Sequence, residues 1–502
     1  MGAVGRLAAH GGPPAYPTTP DNRRSIRRAA GKVTMARDIT PEEKVLAADL
    51  IGKARAGMGA IKDYDQAQVD RLCRAIGWAT GNEKTFLRIA QMGVDESGIG
   101  DRAGRGAKRF KIQGVLRDAL RQKSVGVIEV DEAKGITKYA KPAGVIASLV
   151  PTTNPELTPP VTAIYAIKCK DAVIFCPHPR SKKTTYEMVE VMRKTVKSLG
   201  APEDIFQCVE RPSIPLTNEL MANCDLVMAT GGRPMVQAAY SSGRPAYGVG
   251  AGNSTMVIDE TADVADAAKN TRISKTSDFG SGCSADGNML VDAKLYDQMI
   301  EALQKEGGYL CNDEEKAKLE KALWDEEGHR RPDTIAIAAQ RIAEIAGFSI
   351  PADRSFLFVR QQEIGKQHKF SSEKLCVVLA VYKFQNFAQA LDMVRQIYEV
   401  GGKGHSCGIY SFNDNHIDQL ARVAPVSRMM VRQPQSKANA GAFNNGMPMT
   451  SSLGCGIWGG NITNENVSLK HYMNVTWVSR TIPEDRPSEQ ELFGEFYGTA
   501  VM

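Results

Sequence analysis

Between Ala143 and Gly232, short apolar runs alternate with stretches patterned for helix, and this alternation limits the fold more than any other feature. "AGVIASLVP", "AVIFCPH" and "DLVMATGG" are too short for ordinary helices and end in proline, histidine or glycine. Runs of this kind suit strands buried on both faces. A helix is expected between the first two, from near Pro160 to Lys170. After the second, "SKKTTYEMVEVMRKTVKSLG" brings Met188, Met192, Val196 and Leu199 onto one face, with Ser181 as N-cap and Gly200 past the end. Strand–helix–strand at this spacing requires a parallel sheet covered by helices on both sides. Such sheets bind ligands at the carboxyl ends of their strands, so the informative loops are "PTTNPE", "CPHPRSK" and "ATGGRP".

A second alternating region follows residue 283, with "NMLV", "SFLFVR" and "CVVLAVYKF" as strands and "FAQALDMVRQIYEVG" as a helix. It predicts a second α/β domain. Ahead of both regions, residues 40 to 120 have the three-to-four spacing of helices, and "SVGVIEV" and "GITKYAKP" form a hairpin through "DEAKG". At the junction stands "KTSDFGSGCSADGNMLV", residues 275 to 291, which presents Cys283 beside glycines at the lip of an interior strand. A single cysteine is most often a small buried hydrophobe. Clefts between domains, however, are where small-molecule sites form.

Charge and cysteine usage narrow the function classes. The formal charge is +6, yet residues 1 to 34 carry Arg6, Arg23, Arg24, Arg27, Arg28 and Lys32 against Asp21 alone. The rest of the chain is nearly neutral and offers no basic face to nucleic acid. The tail is expected to be disordered; a transit peptide, an upstream start ahead of Met35 and a solvated charge run are its three readings. No apolar run is long enough for a membrane span. Ten scattered cysteines, without zinc-site pairs or disulfide density, suit a reducing cytoplasm.

A thiolate at Cys283 would attack a carbonyl carbon, and the resulting oxyanion needs donors. The amide of Asn154 is one candidate and the backbone N–H of Cys283 another; Asn154 is equally readable as a turn residue before a proline. His178, Arg180 and Lys182 lie where a strand enters a helix, a place suited to a ribose or phosphate or simply to solvated charges. Gly231 and Gly232 form a glycine turn, a weak signal without G-x-G-x-x-G.

Taken in order, "PTTNP", "CPHPRSK", "ATGG", "GVGAGN", "GSGCSADGN", "GKGHSCGIYS" and "LGCGIWGGNITNENV" resemble the aldehyde dehydrogenase superfamily. They are similar in particular to its coenzyme-A-acylating branch. The resemblance covers residues 40 to 480. It implies an aldehyde dehydrogenase-like α/β fold of two Rossmann-type doubly wound domains with an oligomerisation hairpin and tail. The domains implied are a nucleotide-binding domain over 35–270, with the hairpin near 124–141, a catalytic cysteine domain over 271–450, and a return to the first domain over 451–502. It further implies Cys283 as nucleophile and Asn154 as oxyanion donor. Glu373 in "SSEKL" would orient a nicotinamide ribose, and Gly231 and Gly232 would lie by the cofactor's phosphates. His405 in "GKGHS" is expected at the active-site lip, a satisfied core histidine being the alternative. NADP or NAD would be the cofactor, coenzyme A the acyl acceptor, and the assembly a homodimer or homotetramer.

Hydrolytic members carry a glutamate in a Glu-Leu-Gly-Gly motif as base for water. The corresponding stretch here, "YGVGAGN", has no carboxylate between Tyr247 and Asn253. Substrate choice is expected in residues 432 to 455, whose polar side chains, Arg432 among them, suit a small anionic aldehyde. The wording around Cys283 is most similar to members of the branch acting on sulfoacetaldehyde with NADP, and Arg180 suits a 2′-phosphate. Succinate semialdehyde, then acetaldehyde or propionaldehyde, are the rival substrates. A catalytically silent assembly partner and a cysteine hydrolase, which would need a histidine beside Cys283, remain readings of other classes.

Overall fold

Both alternating regions fold into parallel sheets, in a computed structural model that describes residues 37–499. The basic tail expected over residues 1–34 lies outside the described residues. The first sheet has five strands in the order β5-β4-β3-β6-β7: β3 (Val145–Val150), β4 (Ala172–Pro177), β5 (Phe206–Cys208), β6 (Leu226–Thr230) and β7 (Ala246–Val249). All neighbours are parallel. Alternate side chains serve two cores. Ile146, Val150, Val173 and Phe175 face one helix layer, while Val145, Ala147, Leu149, Ala172 and Ile174 face the other. Strands covered on both sides leave no polar face, which is why the sequence shows unbroken apolar runs rather than alternation.

The helices between these strands occupy Thr158–Lys168 and Lys182–Ser198. Met188, Met192 and Val196 are buried along one stripe of the second, and Gly200 takes a left-handed φ of 83° just past its end. Ser181 does hold the N-cap position, but its side chain makes no capping bond. The carboxylate of Glu96 does so instead, accepting from the backbone N–H groups of Lys183 and Thr184 at 2.8 Å each. A negative charge from a neighbouring helix satisfies those orphan donors better than a hydroxyl would.

The second sheet has seven parallel strands in the order β10-β11-β12-β9-β8-β13-β14. They are β8 (Thr255–Ile258), β9 (Asn288–Asp292), β10 (Gly308–Leu310), β11 (Phe356–Arg360), β12 (Val378–Phe384), β13 (Cys407–Tyr410) and β14 (Met429–Val431). Because β8 pairs with β9 and β13, the chain crosses between sheets near residue 250, not at 270 as the sequence division had it. The apolar "TMVI" of β8 is short and follows a glycine-rich stretch, so nothing local marks which sheet it joins.

The hairpin of β1 (Val127–Asp131) and β2 (Ile136–Pro142) takes β15 (Met473–Ser479) as a third, antiparallel strand. This small sheet exposes Val130 and Trp477. Among the described residues no helix is long and apolar enough to cross a membrane, and all ten cysteines are free.

Candidate active site

The five-stranded sheet turns its carboxyl ends to the cleft. Asn154 lies four residues beyond β3, His178 directly follows β4, Gly231 follows β6 and Gly250 follows β7. The chain leaves β3 toward β4 on one side and returns to β6 on the other, so β3 and β6 flank the crevice where parallel sheets hold ligands. The seven-stranded sheet presents its amino ends. Cys283 precedes β9, Glu373 precedes β12, His405 precedes β13 and Asn253 precedes β8.

The loop carrying Cys283 is tightly specified. The helix Val264–Thr276 ends, and Asp278 (φ 49°) and Phe279 (φ 51°) then adopt the left-handed region. Two such non-glycine residues in a row persist only where surrounding bonds fix them. Asp278 supplies these bonds: its carboxylate accepts from Lys108 Nζ (2.6 Å), Ser281 Oγ (2.7 Å) and the Asp101 backbone N–H (2.9 Å). From the other side Gly252 touches the Cys283 backbone, where a Cβ would lie 1.8 Å from the Cys283 carbonyl oxygen. Only glycine fits there.

His405 is fully buried, and its Nε2 is 3.0 Å from Cys283 Sγ. The expectation of a histidine at the lip is therefore corrected: His405 lies on the sulfur itself. Its position is set by Gly404, which has a φ of 82° and packs so closely on Cys455 that a Cβ would fall 1.7 Å from the Cys455 carbonyl oxygen. Glycine alone meets both demands. Nδ1 lies 2.9 Å from Ser406 Oγ, which lies 2.9 Å from Ser254 Oγ. The buried Arg428 donates to the His405 carbonyl at 2.8 Å and to the carbonyls of Gly454 and Asn464, tying "GKGHS" to "GCGIWGGN".

Burial keeps both partners neutral at rest. It pushes the Cys283 thiol up to about 12, with the charges of Glu373 and Cys455 adding to the rise. Burial, reinforced by Arg428, pushes His405 down to about 3. A thiol beside a neutral imidazole can pass its proton as the sulfur attacks, without a standing ion pair.

Asn154 is held by its oxygen. Lys108 Nζ donates to Asn154 Oδ1 at 2.7 Å, to the Thr153 carbonyl at 2.9 Å and to Asp278 Oδ2 at 2.6 Å. With Oδ1 occupied by an ammonium and one Nδ2 hydrogen turned to Thr153 Oγ1 at 3.4 Å, the amide keeps one N–H to offer. Asp278 thus links the Asn154 loop of one sheet to the Cys283 loop of the other. Burial works to raise the Asp278 carboxyl, but Lys108 and Arg105 outweigh it and hold the group below its usual value.

Glu373, Lys275, Lys374, Asn253 and Cys283 line one small internal cavity. Glu373 Oε1 accepts from the Gly252 N–H at 3.0 Å, and burial raises its carboxyl to about 7. Lys275 is lowered to about 8 by the same burial.

The dinucleotide residues fit unevenly. Gly232 caps the helix Arg233–Tyr240 with no side-chain bond to its first N–H groups, so that end is open to a pyrophosphate. The helix end after "CPHPRSK" is not open, because Glu96 already occupies its donors. This corrects the expectation of a phosphate there. His178, whose backbone N–H donates to the Val150 carbonyl at 3.1 Å, and the exposed Arg180, one guanidinium nitrogen of which donates to the Ser97 carbonyl, follow the carboxyl end of β4 with Lys182. Arg432 is not brought to the site. Its guanidinium donates to the Ser411 carbonyl at 2.6 Å and lies over the Phe412 ring, at the far end of β14.

Sequence reasoning missed Lys108, Asp278, Ser406, Arg428 and Glu96. Only Ser406 carried a signal, standing next to the motif histidine.

The sequence matches the aldehyde dehydrogenase family over residues 47–311. A sulfoacetaldehyde dehydrogenase of Acholeplasma sp is 44% identical over 451 residues, covering 89% of this chain and 93% of that protein. An acylating sulfoacetaldehyde dehydrogenase of Bilophila wadsworthia is 40% identical, over 88% and 97% of the two chains. The crystal structure of an acetylating aldehyde dehydrogenase from Geobacillus thermoglucosidasius superposes with a TM-score of 0.86 at 33% identity, covering 90% of this chain and 100% of that one.

Proposed function

Because this chain belongs to the aldehyde dehydrogenase family, we propose that it is a coenzyme-A-acylating sulfoacetaldehyde dehydrogenase, converting sulfoacetaldehyde, CoA and NADP to sulfoacetyl-CoA and NADPH. The observation that carries this reading is the Cys283–His405 contact in a cleft with no carboxylate between Tyr247 and Asn253. NAD in place of NADP, and succinate semialdehyde, acetaldehyde or propionaldehyde in place of sulfoacetaldehyde, are the alternatives, separated by running the test below with each cofactor and each aldehyde.

Cys283 Sγ bonds to the aldehyde carbon, and the thiol proton passes to His405 Nε2. For Nε2 to accept it, Nδ1 must carry the other ring proton and donate toward Ser406 Oγ. The oxyanion is held by Asn154 Nδ2 and the Cys283 N–H, preorganised donors that lose nothing by reorienting during the step. When bound, the nicotinamide supplies the hydride acceptor that turns the adduct into a thioester. The open helix end at Gly232 suits the pyrophosphate, Glu373 a nicotinamide ribose hydroxyl, and the exposed Arg180 a 2′-phosphate.

The thioester then needs a nucleophile. With the first proton given up by His405 to solvent, the CoA sulfur bonds to the acyl carbon, the Cys283 sulfur leaves, and His405 takes the CoA thiol proton and returns it to Cys283. Water has a weaker helper. The one carboxyl on the cavity around Cys283, Glu373, has its Oε1 engaged by Gly252 N–H. The unpaired edge of the β1-β2-β15 sheet, with Trp477 exposed, supports a homodimer or homotetramer.

The test is NADP reduction by the purified chain with sulfoacetaldehyde, with and without CoA. Reduction that requires CoA and yields the CoA thioester is the expected result. Free acid formed without CoA would overturn acyl transfer and assign Glu373 as base. The Cys283–His405 pair also favours a cysteine hydrolase, which would cleave an activated ester with no nicotinamide present. Ester cleavage together with no aldehyde-dependent NADP reduction, with or without CoA, would establish that second reading.

A further inference from the structure

We propose that Lys437, with Ser277, forms the subsite that receives the anionic end of the aldehyde. The inference rests on the reading of the substrate as sulfoacetaldehyde and adds the group that recognises its sulfonate. An anion near the nucleophile needs a cation with hydrogen-bond donors to spare; Lys275 is sealed on the small internal cavity with Glu373 and Cys283, and the other cations around this cleft are largely committed.

Lys108 has three donors and three acceptors, Thr153 O, Asn154 Oδ1 and Asp278 Oδ2, all within 2.9 Å. Lys111 is spent on the carbonyls of Ala440 and Gly441. Arg428 donates to three carbonyls, and Lys374 to Asn288 Oδ1 and the Ser372 carbonyl. Arg105 is fully buried against Asp278 and Glu156. Arg432 faces Ser411 and Phe412.

Lys437 differs on each count. Its side chain is exposed, and its single hydrogen bond among the described residues runs from Nζ to Ser277 Oγ at 2.7 Å. Two N–H groups are left over, and the Ser277 hydroxyl, which accepts from Lys437, keeps its own proton to donate. A sulfonate presents three oxygens to these donors.

The turn that carries Lys437 is fixed to the nucleophile loop. Gln435 is buried and donates from Nε2 to Asp286 Oδ1 at 2.7 Å, three residues beyond Cys283. The Ser436 N–H donates to Ser274 Oγ at 3.1 Å. Ser277 adjoins Asp278, which holds Lys108, which holds Asn154. The ammonium is thus tied through Ser277, Asp278 and Lys108 to the loops of both Cys283 and Asn154.

The experiment measures kcat/KM with NADP and CoA saturating, for sulfoacetaldehyde, succinate semialdehyde and propionaldehyde, in wild type, K437M, K437E and K437R. K194M, on the outer surface of the helix Lys182–Ser198, controls for net charge. The preference for sulfoacetaldehyde over propionaldehyde is expected to fall about tenfold in K437M, the size of one charge-assisted hydrogen bond. The loss lies in KM rather than kcat, deepens in K437E, and is absent in K437R and K194M. Succinate semialdehyde losing as much as sulfoacetaldehyde marks a general anion subsite; a smaller loss marks one fitted to the sulfonate. A wild type with no preference for anionic aldehydes overturns the substrate reading and this subsite together. A preferring wild type whose preference survives K437M overturns the subsite alone.

Discussion

The two sheets meet the cleft with opposite ends. The five-stranded sheet offers carboxyl ends, followed by helix starts such as Gly232 at the head of Arg233–Tyr240. The seven-stranded sheet offers amino ends, preceded by helix ends such as Thr276 before Cys283 and Val400 before His405. Helix starts collect partial positive charge and helix ends partial negative charge. The first edge therefore suits phosphates, and the second, being buried and electronegative, keeps a thiol protonated until substrate arrives. Cofactor phosphates and a resting thiol want opposite fields, and a parallel sheet turned end for end supplies both. The lesson is that the carboxyl-end rule located half of this site and passed over the half that holds the sulfur.

The largest test strikes the amino edge. Cys283→Ser should lower kcat at least ~10⁴-fold, the scale of losing a catalytic nucleophile, with an unchanged melting temperature; undiminished NADP reduction would end the covalent account. Next, His405→Asn should slow aldehyde-dependent reduction by ~10³, within the range for a lost general base. Iodoacetamide trapping of Cys283 should slow in parallel, which separates a base from a mere packing residue.

The carboxyl edge should respond less. Asn154→Ala is expected to cost about 10²-fold in kcat, as for one oxyanion donor. Lys108→Met should cost less alone and add little to Asn154→Ala, because it acts by holding that amide; additive losses would separate the two residues.

The smallest effect is a pH dependence. Glu373 is neutral below about 7 and charged above, and its charge opposes thiolate formation at Cys283. In cofactor-free protein, Glu373→Gln should leave alkylation of Cys283 unchanged at pH 6. At pH 8 it should speed it about threefold, on the order of 1 kcal/mol of charge interaction. His405, held near 3, should contribute no inflection between those values.

Much of the fold was legible because it is local. Runs such as "AGVIASLVP" and the Met188–Met192–Val196 stripe report their burial directly, and both became strand and helix within a few residues of expectation. Cys283 was legible from its neighbours, since glycines crowd a loop that must approach other backbone. Glu96 was not, because it caps a helix 87 residues away. Arg432 was misjudged for the complementary reason: its charge was visible, but the carbonyl it faces across the sheet edge was not.

The sequence by itself determined the alternating sheets and the family motifs, and it singled out Cys283 as the candidate sulfur. Pattern and composition act between near neighbours, and burial acts on every apolar residue alike. Which groups stand on that sulfur was decided by tertiary structure, since His405 reaches it across 122 residues and Lys108 reaches Asn154 across 46. Hydrogen bonds depend on tenths of an ångström and on direction, and those are fixed only when two sheets are packed end against end.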